Sequence, residues 1–574
     1  MTHFKLRYAA VLAAWLLASG CVGVPVELVP AAKVQSEAPA DKPLRVAGLS
    51  QKLVFEYLLG DLAARRGKPV TAADAMTRAA ELSGDERLVL HAFSLSMEAD
   101  RFEQALAMSE LMEQLIPSDP RARTMRLQAL IALERADEIF EVVVAFLKAM
   151  PEETASTLQH LAEVLSRQDD PSRWLPLLAR ATSRYADLPE AHFAYAWLAY
   201  RAGDTETADR ALAQAMVLKP GWEKAALLEL SRLREQGQRE RVHEYAKDYL
   251  AEYPDRGHFR LTWARLLTEW DEIHLALTHF EKLIEIDPDH NDALFAAGIL
   301  NLDLDEHQRA REQLMHFLEL APEEDRARLY LARIASELEN YDEALDWLEQ
   351  IQSLQFHFDA QVRIGFVLAD AGRFEQALEH LADIVPKTQE QQVRVYLARE
   401  QVLRDSDQPQ AALKLLDAAL LEIPDDPDLL YSRGLVTAML HMVDRHERDM
   451  RQLIALEPDN AHAYNALGYT LADQTDRYDE ALELIRKALE LLPDDPFILD
   501  SMGWLQYRMG NLVAALEYLQ QAIDQSPDAE IAAHLGEVLW MTGAKDEART
   551  TWRDGKNTDP GNPVLIDTLR KFGQ

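Results

Sequence analysis

The sequence predicts an all-α fold, a superhelical solenoid of helix–turn–helix units, and three observations predict it. Prolines recur with a 34-residue period at Pro117 and Pro151, at Pro220, Pro254, Pro288 and Pro322, and at Pro424 and Pro458; Pro493, Pro527 and Pro560 continue it with gaps of 35, 34 and 33. An alanine stands twelve residues before the proline at Ala105, Ala208, Ala276, Ala310, Ala412, Ala481, Ala515 and Ala548, and Ala344 and Ala377 hold the slot where the proline is missing. Half of the 22 glycines fall in two further slots. One, five residues before the alanine, holds Gly203, Gly237, Gly372, Gly510 and Gly543; the other, seven residues earlier, holds Gly298, Gly365, Gly434, Gly468, Gly503 and Gly536. A fixed period of this length marks a repeat architecture, in which each unit buries its apolar face only against its neighbours.

Taken in chain order, residues 1–20 read as a secretory signal peptide. Lys5 and Arg7 precede an apolar run of about 11 residues, Tyr8 to Ala18, too short for the ~20 that a membrane-spanning helix needs. Leu17-Ala18-Ser19-Gly20-Cys21 resembles the lipobox of bacterial lipoproteins, and that resemblance implies a diacylated Cys21 at the new N-terminus. Cys21 is the single cysteine of the chain, so no internal disulfide can form. Val22 in the following position implies, by the same resemblance, sorting to the outer membrane. Residues 21–48, with Pro25, Pro30, Pro39 and Pro43 and no helical periodicity, read as an extended tether after the lipidated cysteine. At ~3.1 Å per residue it would reach on the order of 80 Å.

Residues 49–560 carry the repeats, about 15 helix pairs, opening with a divergent pair at 51–83. The slots describe a helix pair. Glycine at the turn permits a left-handed backbone. Alanine and the earlier glycine let two helices approach closely. Proline stops the second helix, and Asp caps the next, with Pro as its first residue, at Asp119-Pro120, Asp426-Pro427 and Asp495-Pro496. Apolar residues recur at three and four between these marks, as in Tyr464, Leu467 and Leu471. The register is degenerate at 152–188, 323–356 and 386–392, and the first two are candidate hinges. Residues 561–574, with Asn562-Pro563 ahead of VLIDTLRKF, read as a C-terminal capping helix.

On these residues the chain resembles the tetratricopeptide-repeat family. The segment Ala461 to Pro493 carries Tyr464, Leu467, Gly468, Tyr478, Ala481, Ala488 and Pro493 in the family's slots, with one residue inserted in the turn. The resemblance implies a right-handed superhelix whose first helices line a groove that binds proteins. The positions expected to face the groove hold Phe193, Trp197 and Tyr200 in one repeat, and Tyr469, Trp504, Tyr507 and Trp540 near the end. Aromatic side chains are enriched at binding hot spots, and equally serve as core against an adjacent helix. Asn465 and Tyr469 occupy two slots of the clamp by which some relatives grip a C-terminal carboxylate, without its basic neighbours.

The layout as a whole resembles a group of large outer-membrane lipoproteins that includes the binding partner of a periplasmic carboxyl-terminal processing protease. The resemblance implies a non-catalytic, periplasm-facing adaptor that holds the protease and presents substrates such as peptidoglycan hydrolases. A structural scaffold for an envelope assembly or export complex, a pilus secretin or an exopolysaccharide channel, is the alternative. The net charge of −37, from 97 acidic and 60 basic side chains, argues against a nucleic-acid partner. Neither a phosphate loop nor GxSxG nor HExxH occurs, and His446-Glu447 lacks the second histidine. The 17 histidines are scattered, and His274 and His279, five apart, do not share a helix face. No catalytic residue, cofactor or metal is expected; the acidic excess reads as the solvated face of many helices.

Overall fold

The structure, a computed structural model, describes residues 50–117, 119–149 and 154–574. The signal peptide of residues 1–20, Cys21 and the tether of 21–48 lie outside the described residues. Among these residues there are 31 α-helices and no strand. They pair in chain order, from Gln51–Arg65 with Pro69–Ser83 to Ala529–Thr542 with Lys545–Thr558, and leave Pro563–Phe572 as a last single helix. The fold is thus the all-α helix-pair solenoid expected. The chain divides into two compact units, Met1–Ala293 and Leu294–Gln574.

Local chemistry accounts for the helix boundaries. Asp119 Oδ1 accepts from the Arg121 backbone N–H at 2.8 Å, and Asp495 Oδ1 accepts from those of Phe497 and Ile498 at 3.0 Å. Each cap satisfies donors that the first turn leaves orphaned. The turn between paired helices places one residue in the left-handed region. Gly203, Gly237, Gly372, Gly510 and Gly543 do so, and where glycine is absent Asp100, Glu134, Asp271, Asp305, Glu339, Asp407 and His441 hold φ between 54° and 62°. The slot is therefore a backbone requirement that seven L-residues meet at a cost.

The described part of the first unit begins at Ser50. The core of its opening pairs is built from small residues, with Ala72, Ala73, Ala79 and Ala80 packed around Met76. The helix Gln51–Arg65 turns Glu56, Gly60 and Ala63 inward and leaves Val54, Phe55, Leu58 and Leu62 exposed. The degenerate stretch 152–188 contains helix Thr154–Ser166, then a 3-10 turn Pro171–Trp174 that leads into a short second helix, Leu175–Arg184. The Asp170 carboxylate caps that turn at the Ser172 N–H, 3.1 Å away.

In the second unit the first helices of successive repeats touch one another from Asp325–Glu337 onward, whereas their second helices make no comparable mutual contact. First helices thus form an inner wall and second helices an outer one. Each small-slot glycine abuts a bulky side chain of its own repeat: Gly298 faces Leu314, Gly365 Leu381, Gly434 Met450, Gly468 Ile485, Gly503 Leu519 and Gly536 Trp552. The degenerate stretches here share one change. The second helices Tyr341–Glu349 and Phe374–Asp383 are cut to nine and ten residues, and the first helices that follow, Leu354–Asp370 and Gln389–Asp405, lengthen to 17. After Tyr341–Glu349 the buried Asp325 carboxylate takes over the helix-stopping role, accepting the backbone N–H of Ser353 at 2.8 Å and of Gln352 at 3.2 Å. Burial opposes the Asp325 charge, but those N–H donors and Arg328 hold its pKa below the ordinary value.

Candidate functional site

The inner wall of the last repeats gathers three of the sequence-predicted aromatics around one buried ion pair. His534, on helix Ala529–Thr542, donates from Nδ1 to the Asp500 carboxylate of helix Pro496–Arg508 at 2.9 Å. Trp504 stacks on the imidazole, centroids 4.2 Å apart and planes 24° apart, and Tyr469 approaches it at 6.1 Å. Tyr507 lies 5.2 Å from Trp504. Burial works against an imidazolium here, yet Asp500, with Glu530 and Asp473 around it, outweighs that penalty and pushes the His534 pKa up to about 9. The histidine is a cation at neutral pH, enclosed by rings and acids.

Carboxylates rim this cluster, most of them already held. Trp504 Nε1 donates to Asp473 Oδ1 at 3.1 Å, and Arg508 Nη1 donates to the Asp473 carbonyl at 2.6 Å. Glu537 Oε1 accepts from Tyr507 Oη at 2.9 Å and from Lys571 Nζ, on the last helix, at 2.7 Å. Burial, with Glu537 beside it, pushes the Tyr507 hydroxyl up to about 12. Glu530 is the exception. Among the described residues its carboxylate takes a single hydrogen bond, a 3.5 Å contact from Tyr469 Oη, and burial raises its pKa above the ordinary value. That contact joins residues 61 apart in sequence, so it spans two repeats along the inner wall. Asn465 Oδ1, on the same helix as Tyr469, is buried without a partner among the described residues.

The remaining sequence-predicted residues lie elsewhere. Trp540 belongs to a separate cluster with Trp552 and Phe572, each at 5.6 Å, and carries Lys545 Nζ at 4.8 Å over its ring. Phe193, Trp197 and Tyr200 share helix Pro189–Arg201 in the first unit. Phe193 is buried against Trp222 at 4.9 Å, Trp197 packs on the core, and burial with Glu235 beside it raises the Tyr200 hydroxyl. These three pack between helices, the alternative that the sequence left open for them. His446 occupies the alanine slot as a fully buried core histidine, its ring nitrogens 2.9 Å from the Gly434 carbonyl and 3.1 Å from that of Ala466. His279 is half-buried; burial and the nearby Arg260 guanidinium bring its pKa down to about 4.

Sequence reasoning missed the His534–Asp500 pair, although its spacing of 34 equals the repeat period and was open to inspection. It also missed an aromatic ladder, Tyr245, Tyr249 and Tyr253, because it looked for groove residues on first helices alone; these follow second helix Arg239–Glu252 at a spacing of four. What the C-terminal arrangement offers is an acid-rimmed aromatic cluster in which Trp504 and His534 are buried and Tyr469 and Tyr507 are half-buried. Among the described residues no group of His, Cys, Asp and Glu could hold a metal ion, and no helix is long and apolar enough to cross a membrane.

This is a helix-pair repeat protein whose distinctive groups sit on the faces of the stack. More narrowly, parts of it carry the tetratricopeptide repeat. A family model described as tetratricopeptide repeat matches residues 296–357, 447–496 and 501–563. A TPR repeat-containing protein of Pseudomonas aeruginosa is similar, 44% identical over 213 residues that cover 37% of this chain and 36% of that protein. The mitochondrial import receptor subunit TOM70 of Rattus norvegicus is 29% identical over 133 residues, 23% of this chain and 22% of that one. The chain thus spans about a third and about a fifth of the lengths of these relatives. Among solved structures, a tetratricopeptide repeat protein from Parabacteroides merdae is 15% identical with a TM-score of 0.36, covering 43% of this chain and 97% of that one. Tetratricopeptide-repeat proteins bind other proteins, and their scaffold is generally non-catalytic.

Proposed function

We propose that this chain is a non-catalytic adaptor of the outer membrane, lipid-anchored at Cys21 and facing the periplasm. In this reading it binds a carboxyl-terminal processing protease and presents substrates such as peptidoglycan hydrolases. The observation that carries the binding part is the inner wall around His534. Tyr469, Trp504 and Tyr507 are fixed on two first helices of adjoining repeats, their polar tips tied to Glu530, Asp473 and Glu537. Such preorganised rings bind with little ordering cost. The anchor is supported by the lipobox-like Leu17 to Cys21 behind a signal-like segment, and the protease role by the layout of signal, tether and uninterrupted repeats.

The test is photo-crosslinking in cells, with benzoylphenylalanine at position 469 or 507, followed by mass spectrometry of envelope proteins. The reading expects a serine protease and a wall hydrolase among the crosslinked partners, and a raised hydrolase level on deletion of the gene. Unchanged hydrolase turnover, or an outer-membrane export channel as the principal partner, would overturn it. The anchor is tested apart from the partner: Cys21→Ala should release the protein from the membrane fraction, and its retention there through an acyl chain would refute lipidation at Cys21.

A further inference from the structure

A second cleft lies on the other side of the helix pairs, in the first unit. Its floor is helix Glu223–Glu235, and its walls are second helices Thr205–Leu218 and Arg239–Glu252. It encloses about 410 Å³. The helix Arg239–Glu252 and the residue after it present two parallel rows to this space. One row is Tyr245, Tyr249 and Tyr253; the other is Glu244, Asp248 and Glu252, with Arg241, tied to Gln238 Oε1 at 2.7 Å, at the head of the helix. Trp222 closes one end, held from behind by Phe193.

Several features of this cleft are unexplained by folding alone. Three carboxylates at successive spacings of four repel one another along a helix and cost stability. Glu244 and Asp248 are exposed and, among the described residues, in no ion pair. Tyr249 Oη donates to the Gly221 carbonyl at 3.1 Å and Tyr253 Oη to Glu252 Oε1 at 2.8 Å, but the buried Tyr245 Oη has no hydrogen-bond partner among the described residues. The aromatic faces already attract cations of the chain itself, with Lys219 Nζ 4.5 Å over Trp222 and the Arg256 guanidinium 6.0 Å from Tyr253.

We infer that this outer cleft is a docking site for an extended basic segment of a partner protein, with Lys or Arg at alternate positions. The aliphatic stems lie along the half-exposed Tyr245 and Tyr253 rings, over the buried Tyr249, while each charged head meets the adjoining carboxylate. A cation over an aromatic face gains further from the ring quadrupole. The spacing selects the register. Rungs four residues apart on a helix stand ~6 Å apart, and alternate residues of an extended chain stand ~6.6 Å apart. A segment with Lys at positions one, three and five therefore meets all three carboxylates in step.

This inference rests on the reading of the chain as a protein-binding scaffold. Its test is fluorescence anisotropy of the purified full chain with two labelled pentapeptides of equal charge, Lys-Thr-Lys-Thr-Lys and Lys-Lys-Lys-Thr-Thr. The alternating peptide is expected to bind about tenfold more tightly than the clustered one. The Glu244→Gln/Asp248→Asn double variant, exposed and safe for folding, should weaken it about tenfold, as should Tyr253→Ala. Glu483→Gln, an exposed acid of the other unit, should leave binding unchanged. Equal binding of the two peptides, or full affinity in the Glu244→Gln/Asp248→Asn variant, would overturn the proposal. That result would leave the inner-wall partner standing, just as a failed envelope crosslink would leave this cleft standing.

Discussion

Replacing Gly536 by alanine puts one methyl group into the tightest approach between paired helices. An ideal Cβ there lies 2.1 Å from Trp552 Nε1 and 2.5 and 2.6 Å from two ring carbons. Ordinary contact is ~3.5–4.0 Å, so the indole must retreat by about 1.4 Å. It has nowhere to go: Trp552 is fully buried, stacked between Trp540 at 5.6 Å and Phe572 at 5.5 Å, with Nε1 donating to the Ala533 carbonyl at 3.3 Å. Overpacking of this kind costs about 1–3 kcal/mol, and loss of the indole hydrogen bond adds about 1. Alanine returns about 1 kcal/mol of helix propensity, so a net loss of roughly 1–3 kcal/mol is expected. Gly434→Ala is the control. The atom in its way is the flexible Met450 Cε at 2.2 Å, which can swing aside, so its cost should stay below about 1 kcal/mol. The assay is hydrogen exchange in helices Ala529–Thr542 and Lys545–Thr558, since a long repeat array need not unfold in one step. Trp552→Leu restores the pairing that Gly298, Gly365 and Gly503 make with leucine, so the Gly536→Ala/Trp552→Leu double variant should be at least about 1 kcal/mol more stable than the two single losses added together. Additivity within about 0.5 kcal/mol would refute the steric argument.

The His534–Asp500 pair makes stability fall with alkali. The folded histidine titrates at about 9, above the ordinary 6.5, so its contribution is complete below that ordinary value and is lost as pH rises through about 9. Its full size is on the order of 3 kcal/mol, and His534→Gln should flatten the slope in urea melts of the C-terminal repeats followed from pH 6 to 10. At the turn slot, Gly510→Val should cost about 1–2 kcal/mol, whereas Asp305→Gly relieves a left-handed aspartate and should be neutral to about 1 kcal/mol stabilising, read from the same melts. Asp495→Ala leaves two N–H groups of the first turn unpaired, and about 1 kcal/mol of local stability should disappear from exchange in helix Pro496–Arg508.

Much of this fold is legible in the sequence because each repeat writes its own punctuation. Prolines after second helices, Asp caps before first ones and glycines at the crossings depend on backbone geometry within a few residues, and such signals survive without knowledge of neighbours. The less legible parts depend on contacts between repeats. Asp305 or Glu339 in a left-handed turn carries no glycine to announce it. The shortened helix Tyr341–Glu349 ends where Asp325, on the preceding first helix, reaches across to Ser353. Of the aromatics at the expected groove positions, Tyr469, Trp504 and Tyr507 lie together, Phe193, Trp197 and Tyr200 share another helix and Trp540 stands in another cluster. Its central ion pair was hidden because a buried histidine and a surface one look alike until the partner one period away is considered.

The glycine crossings bear on how such a chain changes in length. Gly298 and Leu314, or Gly503 and Leu519, lie in the two helices of a single repeat, so each unit carries both halves of its own closest contact. A recombination that inserts or removes one whole period leaves every such fit intact, and a new neighbour meets an already assembled pair. The His534–Asp500 and Tyr469–Glu530 contacts behave in the opposite way, since they tie separate repeats together. Growth and loss of units are therefore tolerated where fits are private and penalised where they are shared, as they are in the last three repeats.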